Sequence, residues 1–206
     1  MDKYIPSKSQ FYSQDNRIFN SFYIEEHLNK DSDTTVIVII VDALSDDFFR
    51  KYYHLTPNLK SVLENGAYYL KNTTCLPSCT GISHTNILTG VGADQHNIAG
   101  MNFINSEKQI HFNGLNFDNE TLFDNNVSSD IKTIFENNPK VKSASVWNFV
   151  RRGATVFIPY KKTFYRHAEK LTMEQLDKGA RIITIWYPLL DPLGHRLGVH
   201  HPFRVF

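Results

Sequence analysis

The run Thr35-Val-Ile-Val-Ile-Ile-Val-Asp42 restricts the fold more than any other stretch of the chain. Its β-branched residues follow one another without alternation, which is typical of a strand buried on both faces of a parallel sheet. Further strands are predicted at 67–74, 142–148 and 180–187. Helices are predicted between them, near 45, at 56–66, after 80, at 121–137 and at 172–178. The helix at 56–66 is expected to cover the sheet, and the helix at 121–137 is expected to be broken near 125–129, with Phe135 in its apolar face. This alternation predicts one α/β domain with a mostly parallel sheet and helices on both faces.

Composition excludes several classes of protein. With 206 residues, of which 41% are hydrophobic and 21% charged, the chain can bury a substantial core. A net charge of +1 and the lack of a long basic run argue against a nucleic acid polymer or an anionic membrane as partner. Neither a signal peptide nor a membrane-spanning run is present, so a cytoplasmic location is the default expectation. The two cysteines, Cys75 and Cys79, are expected to be free thiols.

The first 34 residues are polar and aromatic without a clear period, except for a short helix predicted around 20–29. We therefore predict an N-terminal arm, 1–34, followed by the α/β domain, 35–206. The arm gives no indication of function.

Asp42 ends the first predicted strand. Ligands of open α/β sheets lie beyond the carboxyl ends of the strands, so a carboxylate at this point is a candidate site residue. The alternative is that Asp42 only caps the helix that begins near Ser45.

The stretch from Cys75 to Gly90 places Thr80 at the start of a short helix, which Gly90 ends. Free N–H groups and the helix dipole at such a position stabilise a deprotonated hydroxyl or a phosphate oxygen. The alternative is that Thr80 is an ordinary N-cap.

Asp191 and His195 follow the strand at 180–187. Pro192 and Gly194 oppose a regular helix, so a loop is predicted here. A carboxylate and an imidazole together suit Zn²⁺ or another divalent ion, although such a pair alone is often structural.

Two other features have weaker functional interpretations. An alternating stretch at 109–117 predicts a hairpin with its turn at Asn113-Gly114, after a glycine-rich loop at 91–102. Arg151 and Arg152 follow the strand at 142–148, where they either contact an anion or are simply solvated.

Several pieces of the chain, in this order, resemble the N-terminal part of the alkaline phosphatase superfamily. The similarity is greatest to its nucleotide pyrophosphatase/phosphodiesterase branch, and it extends over about 35–200. The matching pieces are Ile-Ile-Val-Asp42-Ala-Leu, Thr56-Pro-Asn-Leu with Gly66, Pro77-Ser-Cys-Thr80 through His84 to Leu88-Thr-Gly90, His96-Asn-Ile-Ala-Gly100 and Asp191-Pro-Leu-Gly194-His195-x-x-Gly198.

The resemblance implies a site with two divalent metal ions, zinc above all, that hydrolyses phosphodiester or pyrophosphate bonds of a small phosphate ester or nucleotide. By analogy, Asp42 and Thr80 bind one metal, and Thr80 is the nucleophile that forms a phospho-threonine. Asp191 and His195 bind the other metal. Phosphomonoester hydrolysis is the nearest alternative.

Sulfatases of the same superfamily are a rival, because Cys75-Leu-Pro-Ser-Cys79 resembles their Cys-x-Pro-Ser-Arg motif. The register favours Thr80, which lies nine residues before Thr89 of the Thr-Gly pair, where the resemblance places the nucleophile. Cys79 also stands where the sulfatase motif has arginine.

The chain departs from the family pattern at two points. The family pattern has an asparagine that holds a phosphate oxygen, and Met101 stands at the aligned position of this chain. The adjacent Asn102 can take that role only if the loop shifts. No Asp-His-Gly segment follows His195. We therefore expect a domain that is incomplete at its C-terminus, weak metal binding, and an exposed sheet edge that favours association. Activity and inactivity of the isolated chain are both left open. A non-catalytic binding domain is the alternative.

Overall fold

The computed structural model of the chain describes residues 34–67, 73–105, 110–113, 122–160, 167–198 and 200–201. Residues from Thr34 onward belong to one compact unit. The predicted arm, 1–34, lies outside the described residues apart from Thr34, as does the short helix predicted around 20–29. No helix in the described ranges is long and apolar enough to cross a bilayer.

The described elements alternate between strands and helices along the chain. The strands are β1 (Val36–Val41), β2 (Asn102–Asn105), β3 (Ile110–Asn113), β4 (Ser143–Val146), β5 (Val156–Ile158) and β6 (Ile182–Tyr187). The helices are α1 (Asp46–Tyr52), α2 (Pro57–Asn65), α3 (Thr80–Thr89), α4 (Ala93–His96), α5 (Leu122–Asn126), α6 (His167–Asp177) and α7 (Leu190–Leu197). A 3-10 turn, Tyr53–Leu55, follows α1.

The main sheet has the strand order β1-β6-β4-β5, and all its neighbouring strands are parallel. Strand β6 is paired on both sides: Ile182 lies opposite Val36 of β1 and also opposite Ser143 of β4. Its first five residues are buried, as expected of an internal strand. The prediction of an α/β domain with a parallel sheet is confirmed. Because the strands are parallel, their carboxyl ends lie at one edge of the sheet.

Most strand predictions agree with the structure. The predictions at 35–42, 142–148 and 180–187 contain β1, β4 and β6. Strand β5 was not predicted, since three residues are too few to show a period. The strand predicted at 67–74 falls largely on 68–72, outside the described residues, and its described ends are not in a strand.

Two hydrophobic clusters connect the sheet to the helices. The first contains buried residues of β4 and β6, such as Val146 and Ile183, and α6 packs on both strands. The second contains Ile82 and Leu88 of α3. Phe149 packs against both clusters and so links α3 to the sheet.

The predicted burial of β1 on both faces is wrong for the described structure. The exposed fractions of Val36, Ile37 and Ile39 are 45%, 41% and 60%. Strand β1 pairs with β6 on one side, and no other described strand lies on its opposite side. It therefore has the sequence of an internal strand and the position of an edge strand.

Helix α2 forms where predicted, with Pro57 in its first turn and Gly66 just beyond its end. The prediction that it covers the sheet is wrong, because none of its residues is buried. Leu59 and Val62 are 38% and 65% exposed. Together with β1, this helix leaves apolar surface uncovered.

Strands β2 and β3 form a separate antiparallel ribbon. Asn102 pairs with Asn113, and Asn105 pairs with Ile110. Asn113 is therefore the last residue of the second strand in the described hairpin, and the turn predicted at Asn113-Gly114 lies outside the described residues from Gly114 onward. The alternating pattern at 109–117 belongs in part to the second strand of the hairpin.

Helix lengths were the least accurate predictions. The helix predicted at 121–137 does stop at the predicted break, since α5 ends at Asn126, but the second part forms turns instead of a helix. Phe135, in the predicted apolar face, is fully buried. Helix α6 begins five residues before the predicted 172–178. The predicted loop at 91–102 contains the short helix α4.

Arg151 and Arg152 do not form an anion site, because both side chains are bound within the protein. Asp124 accepts hydrogen bonds from the backbone N–H groups of Arg151 and Arg152, at 2.8 and 3.1 Å, and from Arg151 Nε at 3.2 Å. Arg152 Nε donates to Glu136 at 2.8 Å, and its other nitrogens donate to backbone carbonyls, including that of Ile131. Burial raises the pKa of Asp124, and these donors oppose the shift.

Replacing Asp124 by asparagine is expected to lower the free energy of unfolding by about 1–3 kcal/mol, because an amide cannot satisfy all three donors and removes the carboxylate that faces the Arg151 guanidinium. Urea unfolding followed by circular dichroism measures the change. Asp130→Asn is the matched control, since Asp130 is exposed on the same segment and its replacement should change stability by less than about 0.5 kcal/mol. Equal stabilities of the two variants would contradict a structural role for the Asp124 network.

Candidate active site

Asp42 is held at the carboxyl end of β1. Its N–H donates to the carbonyl of Tyr187 at 3.0 Å, which continues the pairing of β1 with β6 by one residue. The next residue, Ala43, has φ of +54°, a conformation that costs free energy for a residue with a Cβ and is common near functional sites. Ser45 caps α1 by accepting a hydrogen bond from the Phe48 N–H at 3.4 Å. The alternative role of Asp42 as the cap of this helix is therefore excluded.

Thr80 is the first residue of α3, as the sequence predicts. Cys79 occupies the N-cap position and makes no capping hydrogen bond with its side chain. Thr80 is thus not the N-cap, and its hydroxyl instead donates to Asp42 Oδ2 at 3.3 Å. This contact joins the carboxyl end of β1 to the N-terminus of α3, across 38 positions of sequence.

The Asp42 carboxylate is half-buried, and its pKa is raised. Burial is the main cause, followed by the negative charge of Asp191. Hydrogen bonds from Trp186, Thr80 and the Ala43 N–H lower the pKa and so oppose these effects. Because Asp191 acts on Asp42, the two predicted carboxylates lie close enough to repel each other, and a bound cation would relieve that repulsion.

Asp191 and His195 lie on a helix, not in the predicted loop. Both belong to α7, where Asp191 Oδ1 is 3.5 Å from His195 Nε2, four residues later. Pro192 is tolerated because it lies in the first turn, where its missing N–H has no helical partner to lose. The His195 side chain is 79% exposed and that of Asp191 is 40% exposed. The pair therefore faces solvent.

The four predicted metal ligands thus form two linked pairs. Thr80 is bonded to Asp42, Asp191 is adjacent to His195, and the charges of Asp42 and Asp191 interact. Within the described residues, no group of three histidine, cysteine or acidic side chains is close enough to hold a metal ion. The donor types suit zinc, but each pair offers fewer protein ligands than the three usual in catalytic zinc sites.

Asn102, the predicted substrate ligand, begins β2 and is exposed. No hydrogen bond joins it to Asp42 or Thr80 in the described part of the chain. Its role stays a prediction.

Cys75 and Cys79 are free thiols. Cys75 Sγ lies 3.6 Å from the Ser83 hydroxyl and 3.8 Å from the Pro77 carbonyl. Thr80, rather than Cys75, begins the helix and hydrogen-bonds Asp42.

The sequence did not single out Trp186, whose indole Nε1 donates to Asp42 Oδ2 at 3.2 Å. It also gave no role to two buried histidines, His84 and His96. His84 makes no hydrogen bond with any described residue. His96 Nε2 lies 2.6 Å from Asn86 Oδ1, and its Nδ1 accepts from the Ile98 N–H at 3.1 Å.

A parallel sheet with polar side chains just beyond the carboxyl ends of its strands is typical of α/β proteins that bind ligands at that edge. The family model for type I phosphodiesterase/nucleotide pyrophosphatase matches residues 36–203. The chain therefore belongs to the type I phosphodiesterase/nucleotide pyrophosphatase family, as the resemblance in its sequence predicts.

Solved structures of the same family share the fold. Murine ectonucleotide pyrophosphatase/phosphodiesterase 5 matches with a TM-score of 0.72 and 17% identity, over 84% of this chain and 48% of that chain. An inactive threonine-to-alanine variant of the murine protein, in complex with AMP, gives 0.71 and 17%, over 84% and 48%. The human protein gives 0.67 and 17%, over 82% and 47%.

The chain spans about half the length of these solved relatives. At this level of identity, the likeness demonstrates a common fold. No curated protein sequence matches the chain significantly.

Proposed function

We propose that the chain carries the nucleophile half of a metal-dependent hydrolase of phosphodiester or pyrophosphate bonds, with Thr80 as the nucleophile. The observation that carries the proposal is the hydrogen bond of 3.3 Å from the Thr80 hydroxyl to Asp42, formed at the N-terminus of α3 and at the carboxyl end of β1. Membership of the phosphodiesterase family supports it.

The reaction begins with attack of Thr80 Oγ on phosphorus. A new Oγ–P bond forms, the P–O bond to the leaving group breaks, and the hydroxyl proton has an acceptor in Asp42 Oδ2. Free N–H groups at the start of α3 stabilise the negative oxygens. Water then cleaves the phospho-threonine, which restores the Thr80 hydroxyl and releases the second product.

Asp42 and Thr80 would hold one divalent metal ion, and Asp191 and His195 would hold the other. Zinc suits this mixture of carboxylate, hydroxyl and imidazole donors. When bound, such ions favour the deprotonated hydroxyl and neutralise the charge on the phosphate oxygens. With two protein ligands for each ion, we expect weak binding by this chain.

A nucleotide is the substrate class we favour, since a relative with the same fold is known in complex with AMP. Asn102 is the residue proposed to contact a phosphate oxygen. Phosphomonoester hydrolysis stays an alternative, because pocket walls decide between the two esters. The free thiol of Cys75 leaves a sulfatase as the weaker alternative.

The test is an assay of the chain with zinc on an aryl phosphodiester and on the matching aryl monoester. Acid quenching followed by mass spectrometry of peptides tests for phosphate on Thr80. Zinc-dependent turnover with a phosphorylated Thr80 peptide is the expected result. AMP binding without turnover or a phosphorylated peptide would favour a non-catalytic binding domain. Sulfate ester turnover that is lost in Cys75→Ala would favour the sulfatase.

We further propose that the side of β1 on which no described strand lies receives another strand from the half of the family fold that this chain does not span. Two observations support it: the chain spans about half of its solved relatives, and β1 has the apolar sequence of an internal strand. Ile39, which is 60% exposed, lies at the middle of this surface. In isolation, such an edge is expected to self-associate.

Replacing Ile39 by lysine is expected to reduce self-association of the isolated chain, because a charge at an edge opposes pairing. Sedimentation velocity over a range of protein concentrations measures the change. Ile87→Lys is the matched control, since Ile87 is also an isoleucine, is 51% exposed and lies on α3. An equal reduction by both variants would show that association does not use β1.

A further inference from the structure

Trp186 is the one side chain, among the described residues, whose ring nitrogen contacts Asp42. Its Nε1 donates to Asp42 Oδ2 at 3.2 Å, and the Thr80 hydroxyl donates to the same oxygen at 3.3 Å. The indole is only 4% exposed. Two donors on one carboxylate oxygen restrict how far the carboxylate can rotate.

The pairing of β1 with β6 brings Trp186 to this position. Trp186 lies opposite Ile40 in the parallel register. Asp42 follows Ile40 by two residues and therefore lies on the same side of the strand. The indole thus needs to reach only along its own side of the sheet to contact the carboxylate.

Three rings hold the indole in place. The His84 ring meets it edge-on, with centroids 5.4 Å apart and planes at 86°. Phe149 and Tyr160 lie at centroid distances of 5.0 and 5.4 Å. Packing from several sides leaves the indole little freedom to turn its N–H away from Asp42.

His84 connects this packing to the nucleophile. It lies on α3 four residues after Thr80, on the same side of the helix, and is 1% exposed. Its ring nitrogens have no hydrogen-bond partner among the described residues, so its contacts with Trp186 and Phe149 are those of a packing residue. One ring contact therefore joins the helix of Thr80 to the strand of Trp186.

We propose that Trp186 is a positioning residue that fixes the Asp42 carboxylate toward Thr80 and toward a bound cation, with His84 holding the indole in place. The proposal rests on the function proposed above. Partners that orient a ligating carboxylate typically contribute a factor of about 10–100 to metal affinity or activity. The reason is that a fixed carboxylate need not be ordered when the cation or the transition state forms.

The first test is the NMR spectrum of the two indole N–H groups, since the chain has two tryptophans. Trp147→Phe assigns the resonance of Trp186. In Asp42→Ala, the Trp186 N–H resonance is expected to move upfield and its exchange with solvent to become faster, while the Trp147 resonance stays in place. Thr80→Val removes the other donor and should leave the Trp186 hydrogen bond formed. A Trp186 N–H resonance that is unchanged in Asp42→Ala would overturn the proposal.

The second test compares the zinc affinity of Trp186→Phe and Trp147→Phe, measured by competition with a chromophoric chelator. Both tryptophans are 4% exposed, and phenylalanine keeps a ring while removing the N–H donor. Trp186→Phe is expected to raise the zinc dissociation constant by about tenfold or more, and Trp147→Phe by less than about twofold. Equal affinities would overturn the proposed positioning. If no variant binds zinc, the metal proposal fails, and the NMR result alone decides whether Trp186 holds Asp42.

Discussion

Replacing Thr80 by alanine is expected to lower kcat/KM for an aryl phosphodiester by about 10⁴-fold or more, because no other group in the site replaces a covalent nucleophile. The hydroxyl is placed for this role by its position at the start of α3 and by its hydrogen bond to Asp42. Loss of that bond removes one interaction of a half-buried side chain, so the free energy of unfolding should fall by only about 1 kcal/mol. Steady-state kinetics with zinc, together with urea unfolding of the same preparations, measures both quantities.

Two control variants separate the nucleophile from the helix. Thr80→Ser keeps a hydroxyl and should retain measurable turnover together with the phosphorylated peptide. Thr89→Ala removes a hydroxyl at the other end of α3, where it donates to the Thr85 carbonyl, and should leave kcat/KM within about twofold. Turnover by Thr80→Ala at the rate of the wild type would remove the nucleophile assignment.

The sequence alone predicted the helices and strands whose residues form a long, uniform pattern. The apolar runs that form β1 and β6 predicted strands of a parallel sheet, and Gly90 marked the end of α3. The sequence did not predict which strands lie beside each other in the sheet. The burial of β1 depends on whether another strand lies beside it, which its own residues do not state.

The sequence suggested the residues of the candidate site, but it did not predict how they are arranged. Pro192 led to the prediction of a loop around Asp191 and His195, but the structure has a helix there. Proline is tolerated at this position because it is costly only beyond the first turn of a helix. Trp186 escaped notice for a different reason. Its contact with Asp42 depends on the parallel register of β6 against β1, which is a property of the pair of strands.

Lowering the pH from 7 to 5 is expected to reduce the free energy of unfolding by about 4 kcal/mol, roughly 2 kcal/mol for each of two buried histidines. Burial among Phe149 and Trp186 lowers the pKa of His84 from 6.5 to about 3. Burial lowers the pKa of His96 from 6.5 to about 4, and the nearby charge of Asp94 opposes this shift only in part. Both imidazoles are therefore neutral in the folded protein at pH 5.

The direction of this change in the free energy of unfolding follows from proton uptake by the folded and unfolded chains. Between pH 6.5 and the lowered pKa values, the unfolded chain binds protons at His84 and His96 and the folded chain does not, so acidification favours unfolding. The raised pKa values of Asp42 and Asp124 act in the opposite direction, since the folded protein then takes up a proton before the unfolded chain does. The ordinary pKa of an aspartate carboxyl, 3.8, lies below the 6.5 of a histidine, so the effect of these carboxyls belongs to a lower pH range than that of the histidines.

Urea midpoints at pH 7, 6 and 5 for the wild type and for His84→Phe measure the effect of one histidine. Phenylalanine suits the aromatic surroundings of His84 and loses no hydrogen bond to a described residue, so this variant should fold and should lose only about half as much stability on acidification. The other half of the stability loss is expected to remain in this variant, because His96 is unchanged. The His96 ring is fully buried, and its unprotonated Nδ1 accepts a hydrogen bond from the Ile98 N–H. The same pH dependence in His84→Phe and in the wild type would show that His84 is hydrated or protonated in the folded protein, and the closed aromatic packing behind Thr80 would then be wrong.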